Sequence, residues 1–199
     1  MVKRTILFAV LALFISVSGA SGQDWKSVLN GIAKTAIGDN ATNEYTIIGI
    51  WDYKGAASQF ESDNLLAQAG GAAATAKINT ELSKIYSKIG FNSAQFTFNE
   101  DKTYSIKIGK MTSKGTYTFD SAEKKITLKT KMGVTISANV VTLGSSMSLL
   151  FNADKLMDAL KALTGLASKI NSSASYISSI LALLENYDGL KVGFELVKE

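Results

Sequence analysis

The chain supplies few of the side chains that ordinarily shuttle protons or attack carbonyl groups: its 199 residues include no His and no Cys. That excludes Ser–His and Cys–His nucleophilic pairs, imidazole metal sites and Cys-ligated zinc. Carboxylates remain for acid–base work, and Asp52, Glu61, Asp63, Glu100, Asp101, Asp120, Asp154 and Asp188 fall near the ends of the expected elements. A glycosidase needs two carboxyl groups facing each other across about 5–10 Å, and no spacing here marks such a pair. Asp101, Asp120 and Asp154 stand in or beside turns, where Asp accepts hydrogen bonds from nearby backbone. Glu61, Asp63 and Asn64 suit the first turn of a helix, whose dipole favours negative charge. The D-x-[DN]-x-[DN]-G calcium loop is absent. Gly70-Gly71 is followed by no Lys-Ser/Thr and forms no G-x-G-x-x-G, so it marks a break between helices and not a phosphate cradle. The chain is expected to be non-catalytic, with no metal site and no cofactor.

Several segments must position whatever function remains. Lys3 and Arg4 precede Ile6 to Val17, an apolar run interrupted only by Ser16, and small residues follow from Ser18 to Gly22. This is the pattern of a secretory signal peptide over 1–22, cleaved after Ala20 or Gly22, with one domain over 23–199. The run is shorter than the roughly twenty apolar residues of a membrane span. No other run approaches that length, so no transmembrane segment is expected after cleavage. The protein is expected in the periplasm, at the outer membrane or outside the cell. Removing Lys3 and Arg4 from the 21 basic residues leaves 19 against 17 acidic ones, and no arginine at all. Arginine is the preferred fork for phosphate and base edges, so its absence argues against phosphoryl-transfer roles, and no nucleic-acid partner is expected.

Asp24 caps an expected helix that ends at Gly38. Glu44 to Tyr53 alternates as a strand, and Ser58 to Gly90 reads as helical, with capping-box spacing in Ser58 and Glu61 and one helical face in Ile78, Leu82, Ile85 and Ile89. From Gln95 the period becomes two. Strands begin at Gln95, Thr103, Gly115, Lys125, Val134 and Ser146, each joined to the next by a short loop. A second helical stretch over about 153–188 carries Leu156, Leu160, Leu163, Ile177 and Leu181, and a last strand starts at Lys191. The expected fold is mainly β with helical insertions (α+β), an eight-stranded antiparallel up-and-down barrel with helices inserted after strands 1 and 7. Closure buries the apolar face and removes the edges. Its interior would hold Trp51, Phe96, Phe98, Tyr104, Tyr117, Phe119, Met147 and Phe194, with Ile106, Ile126, Leu128, Ile136, Leu149 and Leu196 between them. An eight-stranded barrel is just wide enough to be filled by side chains or to hold one small ligand.

Gly49-Ile50-Trp51, after a short helix, resembles the G-x-W motif of the lipocalin superfamily. More closely, the chain resembles an uncharacterised family of exported lipocalin-like proteins of Bacteroidetes, a domain of unknown function. The resemblance is carried by Gly49 to Gly55, Phe60 to Gly71, Phe96 to Asp101, Gly115 to Asp120, Ser148 to Leu156 and Tyr187 to Glu195. It implies a lipocalin-like barrel and no established activity. In the superfamily a basic residue, typically Arg, lies over the motif tryptophan; here Lys191 or Lys198 must replace it through a cation–π contact.

Two functions are therefore expected in turn. The first is an exported protein that binds a small apolar ligand in its barrel, through the eight aromatic and methionine positions named above. The alternative is a structural or protein-interaction protein of the cell envelope with a side-chain-filled barrel. Lysines 102, 107, 110, 114, 124, 125, 129 and 131 mark the strand region. They fit a solvated outer face that discourages edge pairing, or a patch facing anionic lipid or glycan.

Overall fold

The computed structural model describes residues 42–64, 70–164, 170, 172, 177–178, 182, 184, 187 and 189–199. The expected signal peptide, the helix from Asp24 to Gly38, Asp188 and much of the second helical stretch lie outside the described residues.

Eight strands close into one antiparallel barrel in sequence order, with the eighth returning to the first. They are β1 (Gly49–Phe60), β2 (Ala94–Phe98), β3 (Thr103–Ile108), β4 (Met111–Asp120), β5 (Lys125–Thr130), β6 (Thr135–Leu143), β7 (Ser146–Asn152) and β8 (Leu190–Lys198). Period-two alternation of burial fixes which face turns inward, as Ala94, Phe96 and Phe98 show along β2. The register sets those rings beside others: Phe96 stands opposite Trp51 and Ile106, Phe98 opposite Tyr104, and Tyr117 opposite Leu128. β1 is the longest strand and closes the barrel twice, pairing with β2 through Gly49 to Asp52 and with β8 through Trp51 to Phe60.

Two expectations about β1 are corrected. Glu44–Ile47 is a helical turn, α1, and not the start of the strand. The Asn43 side chain accepts hydrogen bonds from the Tyr45 and Thr46 amides, while the Asn43 amide donates to Thr46 Oγ1 at 3.0 Å. This reciprocal cap wins over the apparent alternation. Ser58 lies within the strand and not in a helix, because pairing with β8 carries β1 on to Phe60. The register shifts between Tyr53 and Gly55, leaving Lys54 as a bulge.

The helical insertion after β1 provides α2 (Gly71–Ile89), with Gly70 and Gly90 in left-handed conformation at its two ends. Ala74, Ile78, Leu82, Ile85, Tyr86 and Ile89 form its buried stripe. A single tight turn, Phe91–Ser93, leads into β2. The insertion after β7 begins with α3 (Leu156–Thr164).

Candidate functional site

The barrel interior is the first place to look. Trp51 is 0% exposed, and Phe96, Phe98, Tyr104, Tyr117, Met147 and Phe194 are all buried to 2% exposure or less. Phe119 and Ile136 are the exceptions among the expected interior residues: both are only partly buried and pack against the core. The structure divides the expected residues into two groups along the barrel. Phe98 meets Tyr117 edge to face at 5.4 Å between ring centroids and Tyr104 at 6.4 Å. Farther up, Phe96 and Phe194 lie 5.7 Å apart.

The upper group contains rings that sequence spacing did not assign to the interior. Phe91 stacks on Phe194 at 4.7 Å and also meets Phe96, Tyr53 and Tyr86. Phe151 meets Phe194 at 5.5 Å. Tyr86 donates its hydroxyl hydrogen bond to the Gly193 carbonyl at 3.0 Å, satisfying a buried polar group. Burial raises the Tyr86 phenol well above its ordinary pKa, with the neighbouring Tyr53 adding to the effect, and burial pushes Tyr53 itself up to about 12. α3 contacts β7 and also β3 and β4. Those strands stand on opposite sides of an eight-membered ring, so α3 crosses the barrel mouth, where Leu156 and Leu160 are fully buried.

The other end is closed by the stretch from Thr42 to Ile47. The Thr142 amide donates to Thr42 Oγ1 at 2.9 Å, and Lys124 Nζ donates to the Thr42 carbonyl at 3.0 Å. Glu44 pairs with Lys102, and the Thr46 and Thr142 hydroxyls are 3.1 Å apart. Three strand connections or ends (β2–β3, β4–β5 and β6) are thus tied to one short segment. Ile47 is fully buried beneath it, and its carbonyl accepts a 2.8 Å hydrogen bond from Trp51 Nε1.

The G-x-W motif explains itself at this end. Lys198 Nζ lies 5.3 Å from the centre of the Trp51 ring, so Lys198 supplies the cation, while Lys191 pairs with Glu61. Gly49 has φ of +137°, and a Cβ there would lie 2.8 Å from Lys198 Cε. Glycine therefore allows the lysine stem to pass over the strand on its way to the indole.

Asp52, Asp101, Asp120 and Asp154, four of the candidate acid–base groups, are occupied in local structure. Asp101 accepts from the Thr103 hydroxyl at 2.6 Å and amide at 3.0 Å, which hold its carboxyl below the usual range, the hydroxyl bond contributing most. Asp120 accepts from the Ala122 and Glu123 amides, Asp52 from Gln95 Nε2, and Asp154 pairs with Lys155. Among the described residues no group of three or more acidic side chains stands close enough to hold a metal ion. No described helix is long and apolar enough to cross a membrane.

A shallow groove of about 520 Å³ lies against β3, β4 and β5, lined by Lys114, Lys129 and Lys131 with Thr103, Ser105 and Thr116 among others. Gly115 is part of its lining, and glycine there lets the Lys129 carbonyl and the Tyr104 ring approach the strand, since a Cβ would sit 2.1 Å from the first and 2.7 Å from the second. Burial pushes the Tyr104 phenol up to about 12, and its hydroxyl has no hydrogen-bond partner among the described residues.

A comparison with protein families agrees with this architecture. A family model described as Lipocalin-like domain (DUF4923) matches residues 25–198. A solved structure of a DUF4847 family protein from Bacteroides vulgatus is similar at 14% identity, covering 78% of this chain and 96% of that one, with a TM-score of 0.36. No curated protein matches the chain.

Proposed function

We propose that this chain, which belongs to the family of lipocalin-like domains DUF4923, is an exported, non-catalytic protein of the cell envelope that works through its outer surface. The supporting observation is the state of the interior: apart from Phe119 and Ile136, the expected inward side chains are 0–2% exposed. Rings from α2 and the turn after it fill one end, and Ile47 with Trp51 fills the other. A side-chain-filled barrel has little room for the small apolar ligand that the aromatic inner face would otherwise invite. The carboxylates that serve turns and ion pairs, together with the missing His and Cys, support a non-catalytic role. The basic, apolar and small-residue segments over 1–22 support export.

The test is a titration of the mature chain with an environment-sensitive apolar dye and with a long-chain fatty acid. No saturable one-to-one binding is expected. Stoichiometric binding that disappears on Phe98→Ala or Tyr117→Ala would replace this reading with that of a small-ligand carrier.

A further inference from the structure

The lysines of the barrel fall into two classes. Lys54, Lys102, Lys125, Lys155 and Lys191 each face a carboxylate within ion-pair distance, Lys124 donates to the Thr42 carbonyl, and Lys198 covers Trp51. By contrast, Lys107, Lys110, Lys114, Lys129 and Lys131 are exposed and form no ion pair with a described residue. They are contiguous. Register places Lys114 opposite Ser105, Lys107 opposite Thr112 and Lys129 opposite Thr116, so their nearest strand partners are hydroxyls and not acids.

The hairpins above this face carry a second anomaly. Met111, Met132 and Val134 are 41%, 81% and 43% exposed, three of the six large apolar side chains exposed among the described residues, gathered on these two hairpins. Met132 adjoins Lys131 in the β5–β6 connection. Met111 follows Lys110 and stands three residues along β4 from Lys114, about 10 Å at the strand rise. Gly109 and Gly133, both with positive φ, form the two bends.

We propose that the outer face of β3–β5, with its two hairpin tips, docks on an anionic lipid bilayer. The unpaired ammonium groups attract the charged headgroups, and the tip methionines enter the interfacial layer. A soluble polyanion would use the lysines and leave the methionines idle; a bilayer uses both. The proposal rests on the reading that the protein works through its outside.

The experiment is co-sedimentation of the mature chain with phosphatidylcholine vesicles, with and without phosphatidylglycerol. Binding to the phosphatidylglycerol vesicles alone is expected, weakening as salt is raised. Joint Lys114→Glu, Lys129→Glu and Lys131→Glu should lower the partition coefficient at least about tenfold. Met132→Ser, which leaves charge and core untouched, should lower it about tenfold as well. A circular-dichroism melt confirms that each variant is folded. Absence of binding, equal binding to neutral vesicles, or indifference to Met132→Ser overturns the proposal. Dye binding inside the barrel would overturn the filled-barrel reading while leaving the vesicle result standing, so the two failures are separable.

Discussion

The two ends of the barrel are closed by different chemistry. At the α2 and α3 end the seal is apolar: Phe91 reaches four other rings, and α3 lays Leu156 and Leu160 across the mouth. At the α1 end the seal combines an apolar plug, Ile47 on Trp51, with a ring of hydrogen bonds from Thr42, Glu44 and Thr46. Apolar closure is strong and insensitive to salt. Polar closure adds direction but little net energy, because each bond replaces one to water. The first end should therefore carry more of the stability, and the second should set where the chain enters the barrel.

Substitutions can break that contrast. The largest loss is expected from Phe91→Ala, about 3–5 kcal/mol in chemical denaturation, since the cavity lies among rings fixed by other elements. Trp51→Ala should cost a similar amount, and a loss below about 1 kcal/mol would remove it from the core. Alkaline titration acts on both ends. Tyr53 and Tyr104 ionise at about 12 in the folded chain against 10.0 ordinarily, so the unfolded chain releases its protons first. Their contribution should be intact below pH 10 and fall as pH rises from 10 through 12, measured by denaturation midpoints across that range. Thr42→Val should cost about 1–3 kcal/mol, because it removes the hydroxyl that accepts from the buried Thr142 amide. The smallest effect belongs to Glu44→Gln. Its exposed pair with Lys102 should contribute little to the denaturation midpoint, and high salt should erase the difference from the unaltered chain.

How much of this was legible in the sequence depended on period. Strands with large alternating residues, such as Phe96 and Phe98 or Ile126 and Leu128, declared both their existence and their inward face, and their number gave the barrel. Gly49 and Trp51 declared the α1 end, and Lys198 could be named as one of two candidate cations. What failed had no period to show. The second half of β1 runs through Gly55, Ala56, Ala57 and Ser58, small residues beyond a bulge, so the helix-cap spacing of Ser58 and Glu61 misled. α1 spans only Glu44–Ile47 and mimics strand alternation; the Asn43–Thr46 spacing was its one signal. Phe91 sits just past the glycine that ends α2, in a three-residue turn, and no pattern tied it to the interior. The outer lysines were visible, but their lack of acidic neighbours required the register between β3, β4 and β5.

The central claim is that side chains, and not a ligand, fill the barrel. It is tested most directly by native mass spectrometry of the mature chain purified from its own host, before and after delipidation. The account predicts the bare polypeptide mass in both samples and an unchanged melting temperature. A reproducible bound small molecule whose removal lowers the melting temperature, and whose binding is lost on changing Phe98 or Tyr117, would contradict it.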